Sequence, residues 1–549
     1  MGRFSSLDEF MPYPSRRSVV VGTRGMAAAS QPLAVAAGIK MLDQGGNAAD
    51  AAVAMAAVLA VTEPGSTGLG GDCFALYYEA STCQVYALNG SGRAPRALTL
   101  ERLRREGFST ELPPFHPYTI TVPGACAGWC DLVERFGRLS LAAILEPSIE
   151  LAERGFAVAP LTAYFWQRGA EAQLRHALNG GELLMEGRAP RAGEVFRNPN
   201  LARVLQQIAT HGKKVFYEGP IAEAIVDTVQ KAGGCLALED LAAHHSTWDK
   251  PLAVTYRHFK VWECPPNGQG LTALLALNIL KGYDLTTVNP LSSQRLHLQI
   301  EALRLAFADA FRYIADPAWG DLPSDALLSD TYAAERRALI HPHRALMQVC
   351  SGEPLKGSDT VYFCVVDEMG NACSMVNSNY MGFGTGIVPR GCGFSLQNRG
   401  LNFSLDPNHP NALQPGKRPY HTIIPALVTH EEDDTLFAVV GVMGGFMQPQ
   451  GHVQVITALV DDGLDPQSAL DRPRFCVQVQ EPGGRVAVEE GIPEPTLAAL
   501  ATMGHPIERV SGMGRALFGR GQIILRDRES GVLWGGSDPR ADGCALAQI

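Results

Sequence analysis

The sequence predicts a layered domain that combines α-helices and β-strands. Helical periodicity dominates from about Leu139 to Ile340, whereas strand-like runs become frequent only after Thr360. Neither part has a low-complexity linker, and the chain contains no internal repeat. We therefore predict that a helix-rich segment, residues 1–359, and a strand-rich segment, residues 360–549, share one domain with helices on the faces of its sheets.

The first predicted elements are two helices and a hairpin. Ser30, just before a Gln-Pro pair, is a good N-cap for the first helix, and Asn47 caps an alanine-rich second helix. A glycine-rich loop, Glu63–Cys73, leads into two strands, CFALYY and QVYAL. The loop could cradle a phosphate, but tight turning and close backbone packing explain its glycines as well.

The remaining elements follow the same two patterns. The helical part includes LAAILEPSIELAERG and SSQRLHLQIEALRLAFADAFRYIADP, with one strand-like interruption, AVTYRHFKVWEC. The predicted later strands are VYFCVV, ACSMVN, TIIPALV, LFAVVGV, RVAVEE and GQIILR.

Composition argues against several functions. The net charge of −10 over 549 residues, without a basic cluster, argues against nucleic acid or an anionic membrane as partner. The longest apolar run, Ala51–Val61, is too short to span a bilayer, and the first residues lack the apolar core of a secretory signal, so we expect a soluble cytoplasmic protein with reduced cysteines. GxSxG, P-loop and HExxH motifs are absent, and we expect neither a cofactor nor a metal.

The stretch KGSDTVYFCVV draws attention to Thr360. A threonine hydroxyl is a weak nucleophile and needs a base, and a cut directly before the threonine would supply one as its own α-amine. That amine titrates near pH 8, close to the working range. On the pattern alone, a β-branched residue that opens a strand is the better explanation of Thr360.

Six blocks, in order over nearly the whole chain, resemble the γ-glutamyltranspeptidase family. Those of its small subunit are DTVYFCVVDEMGNACSMVNSNYMGFGTGIV (359–388), PGKRPYHTIIPALV (415–428) and GVMGGFMQPQGHVQVITALVDDGLDPQSALDRPRF (441–475). Those of its large subunit are RGMAAASQPLAVAAGIKMLDQGGNAADAAVA (24–54), TEPGSTGLGGDCF (62–74) and VPGACAGW (122–129).

The resemblance implies an α+β fold, the αββα sandwich of N-terminal-nucleophile hydrolases. It implies a proenzyme that cuts itself between Asp359 and Thr360, after which Thr360 forms an acyl-enzyme with an amide substrate. Ser378 aligns with the family's second hydroxyl, which is more usually a threonine. Gly444 and Gly445 align with the paired glycines whose N–H groups hold the oxyanion.

Several substrate-binding positions depart from the pattern of the glutathione-processing members. Ser91 stands where an arginine binds the substrate α-carboxylate, with Arg93 nearby. The acid that holds the α-ammonium aligns with Asn402, and a nearby glutamine becomes Arg399, which would repel an ammonium.

Three further departures lie close to these. A double serine becomes His421 and Thr422, and an asparagine becomes Tyr380. Loss of the ammonium clamp with gain of Arg399 and His421 predicts a pocket for anionic acyl groups without an α-amine. Within the family, the sequence is most similar to the glutathione-hydrolase-like and oxamate amidohydrolase branches.

The predicted function is therefore hydrolysis or transfer of a small acyl group from an amide, in a γ-glutamyltranspeptidase-like manner. Oxamate-type amidohydrolase and cephalosporin-acylase-like activities are the alternatives, and an unprocessed binding or scaffold protein is the non-enzyme alternative. The expected partners are a small amide and the large and small chains of the same precursor, with a heterotetramer as one form of assembly.

Overall fold

The computed structural model describes residues 17–320, 322–346, 359–478 and 484–549. Gly357 and Ser358, which the sequence places in the predicted junction, lie outside this description, as do the first sixteen residues, on which the prediction about a secretory signal rests. Within the described residues, no helix is both long and apolar enough to cross a membrane.

Most strands form two large sheets. The strands are β1 (Val20–Gly22), β2 (Met26–Ala29), β3 (Asp72–Glu79), β4 (Gln84–Gly90), β5 (Phe156–Ala157), β6 (Val195–Phe196), β7 (Thr247–Asp249), β8 (Leu252–Tyr256), β9 (Phe259–Glu263), β10 (Asp359–Val366), β11 (Ala372–Tyr380), β12 (Ala426–His430), β13 (Leu436–Met443), β14 (Phe475–Val477), β15 (Val486–Glu489), β16 (Ile507–Val510), β17 (Arg520–Arg526), β18 (Leu533–Ser537) and β19 (Cys544–Ala547). One seven-stranded sheet has the order β1-β18-β17-β13-β12-β9-β8, and the other has the order β19-β2-β10-β11-β3-β4-β7.

Helices cover the outer faces of both sheets. They are α1 (Pro32–Asp43), α2 (Ala48–Thr62), α3 (Leu100–Arg105), α4 (Ala125–Phe136), α5 (Leu141–Arg154), α6 (Pro160–Gly169), α7 (Pro199–His211), α8 (Lys214–Glu218), α9 (Pro220–Lys231), α10 (Leu238–Ala242), α11 (Gly270–Leu280), α12 (Ser293–Tyr313), α13 (Ser324–Leu327), α14 (Asp330–Ala338), α15 (Met447–Val460), α16 (Pro466–Asp471) and α17 (Glu494–Thr502). Helices α1 and α2 pack on the sheet that contains β10, and α11, α12 and α15 pack on the other.

The inner faces of the two sheets form a separate apolar core. Phe74, Leu76 and Tyr362 from one sheet share it with Leu427 and Val439 from the other. Stacked sheets with helices on both outer sides are the αββα sandwich, so the predicted fold is confirmed.

Both sheets are built from strands on either side of Thr360. In the sheet that contains β10, strands β2, β3, β4 and β7 precede Thr360 in the chain, whereas β11 and β19 follow it. The two segments interleave strand by strand, so a cut between them would leave the chains held together by the sheets. The segment boundaries themselves remain a prediction.

Local sequence signals explain many element ends, with two corrections. The Asn47 side chain accepts hydrogen bonds from the N–H groups of Ala49 and Asp50, which confirms it as the cap of α2. The N-cap of α1 is Gln31 rather than Ser30. The single strand expected for AVTYRHFKVWEC is a hairpin, β8 and β9, whose turn contains Arg257 at φ 60°.

Candidate functional site

A β-bulge brings two hydroxyl groups together where β10 begins. Strands β10 and β11 pair antiparallel, with Asp359 opposite Tyr380 but Val361 opposite Asn377, so β11 carries one extra residue there. The Oγ1 atom of Thr360 lies 3.0 Å from the Oγ of Ser378, and both side chains are buried. The bulge thus turns Ser378 toward Thr360.

The glycine-rich loop before β3 packs tightly behind this pair. A Cβ atom on Gly71 would lie 2.2 Å from the carbonyl oxygen of Ser378, and one on Gly70 would lie 2.0 Å from that of Ser395. Any side chain at either position would collide with backbone. Close backbone packing, one of the two interpretations left open by the sequence, therefore accounts for these glycines.

Gly444 and Gly445 form the turn between β13 and α15. Their φ angles are 132° and 59°, a region that favours glycine. The side chain of Gln269 holds the turn by donating to the carbonyl oxygen of Gly445 at 2.8 Å. Tyr362, two residues after Thr360, packs on Gly441, where a Cβ atom would lie 2.2 Å from the tyrosine ring. The glycine turn therefore ends a strand that faces the beginning of β10 across the inter-sheet core.

Arg399 lies beside the hydroxyl pair with no exposed surface. Its Nη1 donates to the Oγ1 of Thr422 at 2.7 Å, its Nη2 donates to the Oγ of Ser378 at 3.2 Å, and its guanidinium stacks over the Tyr380 ring at 4.2 Å. Burial lowers the pKa of Arg399 to about 10, while Tyr380 and Asp72 act in the opposite direction. The guanidinium is thus a buried cation at neutral pH.

His421 contributes no positive charge to the site. Its Nε2 lies 3.0 Å from the Oδ2 of Asp72, and its Nδ1 accepts the N–H of Ile423 at 3.3 Å. The second bond fixes Nδ1 as the acceptor, so Nε2 carries the proton and donates to the carboxylate. Burial, and next the charge of Arg399, lower the pKa of His421 to about 3. The expectation that His421 helps to attract an anion is therefore wrong, because the ring is neutral and bonded to Asp72.

Asp72 connects several segments around the site, and sequence reasoning missed it. Its Oδ1 accepts the N–H groups of Gly92 and Gly124, each at 3.0 Å, and the side-chain amide of Gln397 at 2.9 Å. With His421 on Oδ2, the carboxylate receives four hydrogen bonds. The available signal was an acid between a glycine run and an apolar strand, a position that is buried and so needs partners.

Tyr380 and Asn402 form another wall of the site. Tyr380 has φ 80°, which is uncommon for a non-glycine residue, and it packs in an apolar cluster with Leu401 and Phe403. The Asn402 side chain donates to the carbonyl oxygen of Tyr420 at 3.1 Å. Burial raises the pKa of Tyr380 to about 12, so its phenol stays neutral.

Ser91 and Arg93 take part in other contacts. The Ser91 hydroxyl accepts the side-chain amide of Asn267 at 3.0 Å, and its carbonyl oxygen accepts the Nε of Arg418 at 3.0 Å. Arg93 is half-buried and donates to the carbonyl oxygen of His245 at 3.2 Å. Of the predicted site residues, contacts link Thr360, Ser378, Tyr380, Arg399 and Thr422 to one another, whereas Ser91 and Arg93 bond elsewhere.

A separate buried cluster contains groups that can bind metals, which the sequence analysis did not identify. His297 Nδ1 lies 2.8 Å from His505 Nε2, and His505 Nδ1 lies 4.0 Å from Glu301 Oε1. Arg304 already donates to the same Glu301 oxygen at 3.1 Å, so a cation is next to the carboxylate without any metal.

Comparison with known proteins identifies the family. The family profile described as gamma-glutamyltranspeptidase matches residues 34–548. The chain belongs to the γ-glutamyltranspeptidase family. It is 38% identical to the glutathione hydrolase-like YwrD proenzyme of Bacillus subtilis (strain 168), over 96% of this chain and 99% of that protein. It is 33% identical to the oxamate amidohydrolase proenzyme of Klebsiella pneumoniae, over 96% and 98%.

A solved structure resembles this chain over nearly its whole length. The cephalosporin acylase from Bacillus halodurans has 46% sequence identity and a TM-score of 0.90, with 98% of each chain covered. Membership of the γ-glutamyltranspeptidase family confirms the predicted resemblance and enzyme class: the protein is an amide-bond hydrolase of the N-terminal-nucleophile type.

Proposed function

We propose that the chain is the precursor of an amidohydrolase and acyltransferase whose nucleophile is Thr360. The observation that carries the proposal is the 3.0 Å contact between Thr360 and Ser378 at the first residues of β10. A cut between Asp359 and Thr360 would add an α-amine to the nucleophile itself, with an ordinary pKa of about 8 that suits a general base. The proenzyme names of the curated relatives support processing of this kind.

In the proposed reaction, Thr360 Oγ1 attacks the amide carbon and its proton passes to the α-amine. The negative charge moves to the carbonyl oxygen, where the N–H groups of Gly444 and Gly445 would receive it, and loss of one such donor typically costs roughly 3–4 kcal/mol. The protonated α-amine then gives its proton to the departing amine, leaving an ester on Thr360. Water or a second amine attacks that ester. The proton of the attacking molecule passes through the same α-amine to Thr360 Oγ1, and the acid or the new amide is released.

We propose further that the acyl group carries a negative charge and lacks an α-ammonium. Arg399 is a buried cation, and in the described part of the chain it forms no salt bridge with a carboxylate. A buried charge without a directly bonded counter-ion is costly, so an anionic group on the substrate would stabilise the site. Asn402 offers no charge to an ammonium. The similarity to an oxamate amidohydrolase favours the same class of substrate.

A γ-glutamyl donor is the second candidate. The 38% identical relative is named as glutathione hydrolase-like, and a γ-glutamyl group also carries a carboxylate that Arg399 could bind. Its α-ammonium would then lie close to the same guanidinium, which is unfavourable at a buried site. A cephalosporin-type acyl amide is the third candidate, favoured by the similarity to the Bacillus halodurans acylase.

Freshly expressed protein tests the nucleophile. Wild-type protein and Thr360→Ser are expected to yield two chains, the smaller beginning at residue 360, whereas Thr360→Ala is expected to remain whole and inactive. A wild-type chain that stays whole after prolonged incubation would overturn the proposal and favour a scaffold protein.

A panel of four amides tests the acyl group. Oxamate and glutaryl p-nitroanilide are expected to have higher kcat/KM than γ-glutamyl p-nitroanilide, with acetyl p-nitroanilide as the uncharged reference. Preference for the γ-glutamyl compound, with efficient transfer to a dipeptide, would contradict the anionic-acyl proposal while leaving the role of Thr360 intact.

A further inference from the structure

Gln269 joins two segments that border the proposed reaction site. It stands directly before α11, and its side chain has no exposed surface. Its amide nitrogen donates to the carbonyl oxygen of Thr422 at 2.6 Å and to that of Gly445 at 2.8 Å. A carbonyl oxygen can only accept, so both hydrogens of the amide nitrogen are used and the orientation of the amide is fixed.

Three consecutive residues hold Gln269 from one side. The hydroxyl of Tyr420 donates to the side-chain oxygen of Gln269 at 3.0 Å, and the carbonyl oxygen of His421 accepts its backbone N–H at 2.9 Å. The carbonyl oxygen of Thr422 accepts one hydrogen of its amide nitrogen. From this fixed position, the second amide hydrogen is directed at the carbonyl oxygen of Gly445.

The turn that receives this bond has little stiffness of its own. Gly444 and Gly445 have φ 132° and 59°, and glycine has more conformational freedom than any other residue. The Gly444 carbonyl, which shares a peptide plane with the N–H of Gly445, accepts the N–H of Met447 at 3.0 Å. The Gly445 carbonyl, in the next plane, accepts the N–H of Gln448 at 3.2 Å. Both backbone donors belong to α15 and would move with it, whereas Gln269 belongs to another element.

We propose that Gln269 is a positioning residue for the oxyanion turn. This inference rests on the proposed role of Gly444 and Gly445 as oxyanion donors. By holding the Gly445 carbonyl, Gln269 fixes the torsion angles of Gly445 between two held peptide planes, and thereby the direction of its N–H. Preorganised donors stabilise a developing charge without having to reorient during the reaction. A loosened turn should therefore slow the chemical step more than it weakens substrate binding.

Gln454 provides a matched control with the same kind of bonding. Its amide nitrogen also donates to two carbonyl oxygens, those of Gln450 and Phe475, each at 3.0 Å, and its side-chain oxygen accepts the N–H of Phe475 at 3.1 Å. None of these bonds involves the glycine turn. Gln269→Met and Gln454→Met each remove a buried amide at nearly unchanged volume, so the general cost of lost buried hydrogen bonds applies to both.

Kinetics of the two variants separate positioning from general destabilisation. With acetyl p-nitroanilide, and with rates referred to the cleaved fraction of the chain, kcat is expected to fall at least about tenfold in Gln269→Met with KM within about twofold. Gln454→Met is expected to keep kcat within about twofold, although its thermal midpoint falls to a similar extent. Gln269→Asn, which retains an amide one methylene shorter, is expected to recover part of the lost kcat. Equal kcat in Gln269→Met and Gln454→Met, or a loss that appears only in KM, would overturn the role of Gln269.

A double variant tests whether Gln269 acts through the turn. If it does, Gln269→Met should add little to the loss of kcat already caused by Gly445→Ala, because the turn is displaced in both proteins. Losses that multiply in the double variant would show two independent effects and would contradict the proposal.

Two further comparisons keep the outcomes distinct. If Gln269→Met does not fold, Gln269→Glu, which keeps the volume and loses both donors, is measured against Gln454→Glu by the same criteria. Cleaved, active wild-type protein with unchanged kcat in the Gln269 variants overturns only the role of Gln269. A wild-type chain that never cleaves would instead overturn the role of Thr360 and with it the proposed reaction.

Discussion

The proposed reaction corner and the proposed recognition wall of this site are built differently. The reaction corner consists of Thr360, Ser378 and the Gly444-Gly445 turn, and backbone geometry sets it through a bulge and a positive-φ turn. The recognition wall, which includes Arg399 and His421, is set by side chains that bond to one another.

This difference offers a physical reason why the departures that the resemblance implies lie in the wall. By the alignment that the resemblance implies, the corner keeps the family's residue types apart from a serine for a threonine at Ser378. In the wall, a neutral His421 is bonded to a buried Asp72, and Arg399 donates to Thr422 and to Ser378, the residue next to Thr360. Side chains that bond to one another can be replaced together in the course of evolution, while the sheets keep Thr360 in place.

The largest expected effect on activity comes from a substitution that adds a side chain to the glycine turn. Gly445→Ala is expected to lower kcat by about 100-fold or more, because a methyl group would crowd the oxyanion position. Gly463→Ala is the matched control, since Gly463 has φ 62° against 59° for Gly445 and no atoms near its Cβ position. Both variants pay a similar conformational penalty of about 1–2 kcal/mol. Steady-state kinetics of the two proteins side by side checks this, and equal losses of kcat would contradict it.

The bond between Asp72 and His421 can be tested through stability. The pKa of His421 is about 3 in the folded chain, against about 6.5 when unfolded. As pH falls from 6.5 toward 3, the unfolded chain takes up a proton that the folded chain does not, so stability falls by up to about 1.4 kcal/mol per pH unit. His421→Asn should remove this contribution, and the fall of its thermal midpoint with decreasing pH should be shallower.

Chains that also carry Thr360→Ala suit this experiment, because they are expected to stay whole. His505, whose pKa burial likewise lowers to about 3, is unchanged in the variant and keeps part of the slope. Parallel midpoint curves for the two proteins would show that His421 is not held neutral.

The smallest expected effect concerns Arg93. Its guanidinium donates to the His245 carbonyl, so Arg93→Ala should change the KM for glutaryl p-nitroanilide by less than about threefold. Arg399→Gln is expected to raise that KM much more. If Arg93→Ala raised this KM more than Arg399→Gln does, the anion-binding residue would be Arg93 rather than Arg399.

The sequence predicted the parts of the molecule that depend on local pattern. The cap at Asn47, the strands on both sides of Thr360 and a layered domain have periodic or motif signals, whereas the αββα sandwich was implied by the family resemblance. The hairpin at Arg257 was missed because a strand-like run of twelve residues hides a two-residue turn without glycine. The cap of α1 was misplaced by one residue, within the usual uncertainty of helix ends.

The recognition wall could not be predicted because its bonds join distant residues. Asp72 and His421 are 349 positions apart, and no local pattern indicates that the neutral imidazole of His421 donates to the buried carboxylate of Asp72. Alignment by resemblance pointed to His421 but could not show that its ring is neutral. The pKa of a buried histidine depends on its desolvation and partners, which only the fold supplies.

The central claim is that Thr360 becomes the N-terminal residue that carries the acyl group. The most direct measurement is the intact mass of the small chain, quenched rapidly during reaction with an amide that acylates Thr360 faster than the resulting ester is hydrolysed. We predict one added acyl mass on the peptide that begins at Thr360, and none in Thr360→Ala. A small chain that begins at another residue, or an acyl adduct on any other residue, would contradict the account.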